Sequence, residues 1–263
     1  MEYKNIYGVP NFISYEYLPK TKKYCLCIPI INEGERIKKE LLRAKKAKID
    51  SFVDIIICDG GTTDGSLTKE ILNLTGVNTL LIKKEKGYQS TQLRMGFWWA
   101  LQRGYEGIIT IDGNNKDSIE SVPLFVDKLN ENYDFVQGSR FIKYGKAINT
   151  PFIRYWAVRL IHSPIISITA KKWFTDTTNG FRAYSKKYLI NNKVKPFRNV
   201  FVSYELLAYL SVRASQLGLK SCEVPVERVY PNKGSVPTKI SIFKGNFNLL
   251  CILLKNFLGM YNP

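Results

Sequence analysis

The sequence predicts an α/β sandwich, a mostly parallel central sheet with helices on both faces. Three observations carry that prediction. KYCLCIPII (23–31) and FVDIIICD (52–59) are apolar at almost every position over strand length, as a parallel strand covered on both faces requires. Such runs alternate with helical stretches from about residue 23 to about residue 140. Each run closes on polar turn residues, Asn32-Glu33-Gly34 after the first and DGGTTDGS after the second.

Taken in order, residues 1–22 are mixed and aromatic without a clear period and are expected to form a strap laid over the domain. After the first strand, residues 35–48 carry Ile37, Leu41, Leu42 and Ala44 at helical spacing, with basic residues opposite. The second strand is followed by a short helix and the strand NTLLIKK (78–84). YQSTQLRMGFWWALQR (88–103) reads as a helix, GIITID (107–112) as a strand, SVPLFVDKLN (121–130) as a helix and DFVQGS (134–139) as a strand. Residues 150–172 are amphipathic, aromatic and basic. YELLAYLSVRASQLG (204–218) is a helix ending at Gly218, and KSCEVPVERVY (220–230) is a strand. Near the C-terminus Phe243, Phe247, Leu250, Leu254 and Phe257 share one helical stripe. With no repeat or low-complexity linker, one continuous domain is expected over 23–240, its first half about 23–145 and its second about 146–240. The strap 1–22 precedes it, and an amphipathic helix at 241–263 follows.

Composition narrows the function. The 263 residues include 39 Lys and Arg against 22 Asp and Glu, a formal charge of +17 that calls for an anionic partner. Five cysteines, an odd number, with Cys25 and Cys27 inside an apolar run, read as buried thiols of a reducing compartment. A single histidine, His162, speaks against histidine-based catalysis and His-rich metal sites. The N-terminus has no uninterrupted apolar signal segment. No window offers the roughly 20 apolar residues of a membrane span, because Arg154, Arg159 and Lys255 break the best candidates. A cytoplasmic protein, soluble or peripheral, is expected.

In open α/β sheets the ligand lies beyond the carboxyl ends of the strands. There the sequence places Pro29 to Glu33, then Asp59 to Ser66, then Asp112-Gly113-Asn114-Asn115-Lys116-Asp117, then Gly138-Ser139-Arg140. Each piece alone is an ordinary turn or cap. Together they set acids and amides beside a basic group, a combination able to bind a ribose, a base edge and a metal-bridged diphosphate. G-x-G-x-x-G and G-x-x-x-x-G-K-[ST] are both missing, which speaks against a Rossmann dehydrogenase and a P-loop NTPase.

These motifs resemble those of family-2 glycosyltransferases of the GT-A fold, most closely the dolichyl-phosphate mannose synthase-like branch. The family's P-T-Y-N-E stands here as Pro29-Ile30-Ile31-Asn32-Glu33, and its I-V-D-D-G-S-T-D-G-T as Ile57 to Ser66. Its D-A-D-L-Q stands as Asp112 to Lys116, its G-S-R as Gly138-Ser139-Arg140, and its D-x-x-S-G-F-R as Asp176 to Arg182. The resemblance runs from about residue 23 to about residue 240 and is specific for the family, not for the sugar. It implies a Rossmann-like sandwich in which Pro29, Asn32, Glu33 and Asp59 hold the nucleoside. Asp112 and Asn114 would hold the diphosphate's Mg²⁺ or Mn²⁺, and Arg140 and Arg182 would face phosphate charge. The family's late R-x-x-G-x-S-K is altered here, and Lys233 and Lys239 are expected to supply its charges at a spacing two residues different. Asn114 replaces the second Asp, and Lys116 replaces a Gln. Lys116 would weaken the metal, stand in for part of it, or point to solvent.

The implied reaction is inverting transfer of a sugar from a UDP- or GDP-linked donor to a polyprenyl phosphate or a glycan, at the inner face of the membrane. A developing negative charge on the leaving diphosphate is met by a cation and by Arg or Lys. A phosphate acceptor needs no general base. A sugar hydroxyl does, with Asp176 and Glu205 as candidates. Glu205 is equally well explained as a first-turn acid complementing a helix dipole. Tyr155, Trp156, Trp173 and Phe174 beside Arg154, Arg159, Lys171 and Lys172 suit an interfacial helix on anionic lipid, and equally a helix packed on the sheet. Two other classes stay open: a sugar nucleotidyltransferase, which lacks its Gly-rich basic loop after the first strand here, and a nonenzymatic nucleic-acid binder, for which no motif is evident. No nucleic-acid partner is expected.

Overall fold

A computed structural model of the protein describes residues 1–231 and 244–263. The N-terminal residues join the sheet instead of lying over it. β1 (Glu2–Tyr3) and β2 (Phe12–Glu16) form an antiparallel edge, where buried Phe12 stacks on Tyr3 at 4.6 Å. The chain continues through β3 (Tyr24–Ile30), α1 (Glu35–Lys46), β4 (Asp54–Asp59), α2 (Lys69–Leu74), β5 (Val77–Lys83), α3 (Gln89–Gln102) and β6 (Gly107–Thr110). Next come α4 (Val122–Asn130), β7 (Phe135–Ser139) and a short β8 (Lys146–Ile148). α5 (Phe152–Ala157), a π-helical turn (Val158–His162) and α6 (Ser163–Ala170) form one continuous helical unit. β9 (Arg182–Ser185), α7 (Lys186–Leu189), α8 (Glu205–Gln216), β10 (Ser221–Pro225), β11 (Glu227–Val229) and α9 (Lys244–Phe257) complete the described chain.

The central sheet runs β1-β2-β5-β4-β3-β6-β9-β7-β10, with a second pair β11-β8. β5, β4, β3 and β6 are mutually parallel, as are β7 and β10, and β9 runs antiparallel between β6 and β7. The mostly parallel sandwich expected from the sequence is therefore present. From β3 the chain moves outward to β4 and β5, then returns to β6 on the other side of β3. The loops after β3 and β6 thus diverge and leave a crevice above the strand ends.

Period-2 alternation divides the core. Cys25, Cys27, Ile56 and Cys58 face α3, in the cluster that residues of α8 and α9 complete, while Leu26, Ile28, Ile30, Ile55 and Ile57 lie in the cluster with residues of α1 and α4. α3 approaches the sheet closely because Gly96 has no side chain; a Cβ there would lie 2.5 Å from the Cys58 sulfur. All five cysteines are free thiols. The segment expected as one strand over 220–230 is two, turning from the main sheet to the small one at Val226, whose N–H reaches the Ser139 carbonyl at 3.0 Å. The π turn before α6 has a local cause. Pro164 has no N–H for the Leu160 carbonyl, and its ring crowds that turn.

Candidate active site

The loops after β3 and β4 are bonded to one another. Asn32, in the left-handed region at φ 49°, accepts from the Thr63 N–H at 2.8 Å and donates its own N–H to Thr62 Oγ1 at 3.2 Å. Gly34 N–H donates to Asp64 at 2.8 Å. Asp59 is buried and accepts from the Gly61 and Thr62 N–H groups and the Thr62 hydroxyl. Burial pushes its carboxyl up against those bonds. Glu33 lies at the rim, held at 2.9 Å by Arg36. Pro29 sits within β3 opposite Cys58. From α3, Gln92 donates to the Ile30 and Cys58 carbonyls and ties the ends of β3 and β4 together. The residues expected around the nucleoside are thus brought together at one strand edge.

Asp112 follows β6 at the centre of the crevice. Its carboxylate is 22% exposed and accepts from Gln89 Nε2 at 2.9 Å, while its other oxygen faces Arg228 Nη2 at 3.3 Å. The turn beyond it is tightly packed. Gly113 lies where a Cβ would come within 2.3 Å of Ile30, and the Asn114 N–H closes on the Asp112 carbonyl at 2.8 Å. Asn115, at φ 57°, donates its N–H to Glu40 at 2.7 Å. Glu40 is fully buried, and burial, then the Asp117 and Asp112 charges, push its carboxyl well up. Asn114 Oδ1 is buried without a hydrogen-bond partner.

Arg228 meets this carboxylate, and two further cations gather around the neighbouring Tyr230. Lys116 does not point to solvent; it is 6% exposed, with its ammonium 5.2 Å from the centre of the Tyr230 ring. Burial, and then Arg228, push that ammonium down. Arg228 also bonds the fully buried Asp117. Burial opposes its charge, but Asp117 and Asp112 outweigh burial and keep it protonated. Arg154 Nη1 donates to the Tyr230 hydroxyl at 3.2 Å. Burial would raise that phenol, yet the Arg228 and Arg154 charges bring it below its ordinary value.

Three expectations need correction, and one of the two readings of Glu205 is favoured. Arg140 does not face the crevice: it is 3% exposed and forks onto Asp176 at 2.6 and 2.9 Å, with Thr178 on its remaining arm. Asp176 is fully buried in that pair. Burial pushes its carboxyl up, but Arg140 outweighs it and holds the group below its usual range, so Asp176 is no poised base. Arg182 is also buried, its guanidinium spent on the Asn179, Leu207 and Thr177 carbonyls and the Ser211 hydroxyl, where it shapes the loop. Glu205 accepts from the Val202 and Ser203 N–H groups and the Ser203 hydroxyl, a helix-start cap, which is the simpler of its two readings. Lys233 and Lys239 lie outside the described residues.

Sequence reasoning missed Gln89, Glu40, Arg228 and Tyr230 as parts of this site. Arg228 pairs with acids 111 and 116 residues earlier, so no spacing could expose it. The visible signal was the run Glu227-Arg228-Val229-Tyr230, two charges within a strand that otherwise alternates.

Asp112 and Asn114 fit a hard divalent cation. They offer a partly open carboxylate beside a buried amide oxygen with no partner, and such cations complete their shells with phosphate oxygens.

No protein-family model matches the chain. It is 26% identical over 205 residues to undecaprenyl-phosphate mannosyltransferase of Micrococcus luteus, covering 76% of this chain and 80% of that one. It is 25% identical over 218 residues to polyprenol monophosphomannose synthase of Mycolicibacterium smegmatis, covering 78% and 77%. Among solved structures, glucosyl-3-phosphoglycerate synthase of Mycobacterium tuberculosis, crystallised with Mn²⁺, UDP and glucosyl-3-phosphoglycerate, superposes with a TM-score of 0.63 at 15% identity, over 91% of this chain and 80% of that one. The fold is GT-A, and the protein is a glycosyltransferase. Within that class its listed relatives are polyprenyl-phosphate sugar transferases, and it is similar to the dolichyl-phosphate mannose synthase-like branch of family 2.

Proposed function

We propose that the protein transfers a sugar, with inversion, from a UDP- or GDP-linked donor to a polyprenyl phosphate at the inner face of a membrane. One observation carries the choice of acceptor. The second half of the domain holds four carboxylates: Asp176 is committed to Arg140, Glu205 to the start of α8, Glu223 to Thr175 with the Asp176 N–H, and Glu227 pairs with Lys146 at 3.2 Å. A sugar hydroxyl needs a base within hydrogen-bond reach, whereas a phosphate oxygen arrives already anionic. The names of the relatives in Micrococcus luteus and Mycolicibacterium smegmatis agree with that acceptor class.

In this reading the Asp59 and Asn32 loops receive the nucleoside. Asp112 and Asn114 would hold Mg²⁺ or Mn²⁺, which would supply positive charge to the leaving diphosphate. Arg228, Lys116 and Arg154 face the same charge from the β11 side. Gln89 fixes the Asp112 carboxylate in place. The helical unit 152–170 and α9 lie against the membrane. Phe152 and Ile153 are 77% and 81% exposed, Leu160, Ile168 and Trp173 are also exposed, and exposed Arg159, Lys171 and Lys172 stand beside them. No described helix is long and apolar enough to cross a membrane.

The test offers labelled UDP- and GDP-sugars to the enzyme with polyprenyl phosphate, unphosphorylated polyprenol or soluble glycans. The expected product is a lipid-linked sugar phosphate of inverted configuration, formed only with the phosphorylated lipid. Efficient transfer to polyprenol or to a glycan hydroxyl would show that a base operates and overturn the acceptor assignment.

A further inference from the structure

We propose that Arg228 and Lys116 are built-in counter-charges at Asp112, which compete with a divalent cation for that carboxylate and take over part of the cation's work on the diphosphate. The inference rests on the donor site proposed above. Arg228 divides its two terminal nitrogens between two acids, Nη1 on Asp117 and Nη2 on Asp112 at 3.3 Å. Its position is dictated from behind, because Asp117 is fully buried and the backbones of Asp117 and Arg228 pair in an isolated bridge. Lys116 approaches from the metal loop itself, over the Tyr230 ring, and the Arg228 and Arg154 guanidinium carbons lie 5.7 Å from the same ring centre. Three cations thus gather around one phenol beside one partly open carboxylate.

A hard cation prefers several anionic oxygens. Here it finds one carboxylate and one amide, and no group of three or more acidic, His or Cys ligands exists among the described residues. Arg228 already occupies one side of that carboxylate, and two further positive charges repel an incoming divalent ion. A diphosphate reverses the balance. Its oxygens draw Arg228 away from Asp112 and attract Lys116 from its place over Tyr230, release the carboxylate and add ligands. Without nucleotide the site is therefore expected to bind the metal weakly, and the diphosphate to bind with measurable affinity even without the metal.

The experiment titrates Mn²⁺ into the full chain without nucleotide and follows the free ion by electron paramagnetic resonance. The variants are Lys116→Gln and the double change Arg228→Gln with Asp117→Asn, which avoids leaving Asp117 buried without its counter-charge. Each is expected to bind Mn²⁺ at least tenfold more tightly than the wild type, and adding Asp112→Asn is expected to abolish the gain. A second arm titrates UDP and GDP calorimetrically in EDTA. The wild type is expected to bind at least one of them, and both variants at least tenfold more weakly. Equal Mn²⁺ affinity in wild type and variants overturns the competition, and loss of all nucleotide binding in EDTA overturns the shared role. Failure of any nucleoside diphosphate to bind with Mn²⁺ present refutes the donor site instead, and the Mn²⁺ arm still decides the competition independently.

Discussion

Asp176 and Arg140 form a buried pair whose value lies in holding the loop from Asp176 to Gly180, which backs Asp112. Removing one partner of such a pair leaves an uncompensated charge, at about 3–5 kcal/mol. Asp176→Asn is therefore expected to lower the melting temperature strongly, and an unchanged melt would show the pair to be dispensable. The pair also sets a pH dependence. The Asp176 carboxyl is held below its unfolded value of about 3.9. Its stabilisation is then complete above that value and is lost as pH falls through the lower folded value. Melts of the wild type should fall more steeply with acid below about pH 4 than those of Asp176→Asn; parallel curves would contradict the assignment. Gly180 is the second sensitive residue here. A Cβ at this position would lie 2.5 Å from Asp112 Oδ1, so Gly180→Ala must displace the carboxylate. Displacing a reacting group by about 1 Å costs up to about a hundredfold in rate. Gly180→Ala should show a loss of at least tenfold in kcat with little change in melting, and full activity would show that Asp112 need not stay where it is.

Elements differed in how readable they were. β3, β4 and β5 announce themselves because burial on both faces demands unbroken apolar runs. β9 does not: it is four residues long, Arg-Ala-Tyr-Ser, and its arginine is buried by satisfying carbonyls, not by being apolar. β1 and β2 were missed because an edge strand half-open to water carries no such run. α9 was legible as amphipathic, but its faces were not. The stripe of Phe247, Leu250, Leu254 and Phe257 is exposed, while Ile252 and Leu253 pack inward and Asn256 donates to the Ala208 carbonyl of α8; Phe243 lies outside the described residues. Outward apolar residues on α5 and α9 mark the surface assigned to the membrane. Phe152→Ser with Ile153→Ser is expected to reduce flotation with anionic vesicles at least tenfold and leave the melting temperature unchanged, since both side chains are already in water. Undiminished flotation would place lipid contact elsewhere.

Across the whole molecule, the sequence order of turns foretold which strand ends meet, because a parallel sheet delivers every carboxyl end to one edge. Asp59, Asn32 and Asp112 were legible for that reason. Arg140 and Arg182 were misjudged because their side chains turn back into the protein to satisfy Asp176 and a set of carbonyls, and motif position does not state direction. Arg228 was missed because β11 brings it to the crevice to meet acids more than a hundred residues away in the chain. The basic excess of +17 acquires two uses in this arrangement, a cation cluster around Tyr230 and a basic border on the exposed helices. The most direct measurement of the central claim is transfer of labelled sugar from UDP- and GDP-linked donors to polyprenyl phosphate in vesicles, comparing the wild type with Asp112→Asn. The account predicts lipid-linked product from the wild type with one of these donors, and a loss of about a hundredfold or more in the variant, as for removal of a principal electrostatic group. No transfer from either donor, or equal transfer by both proteins, would contradict it.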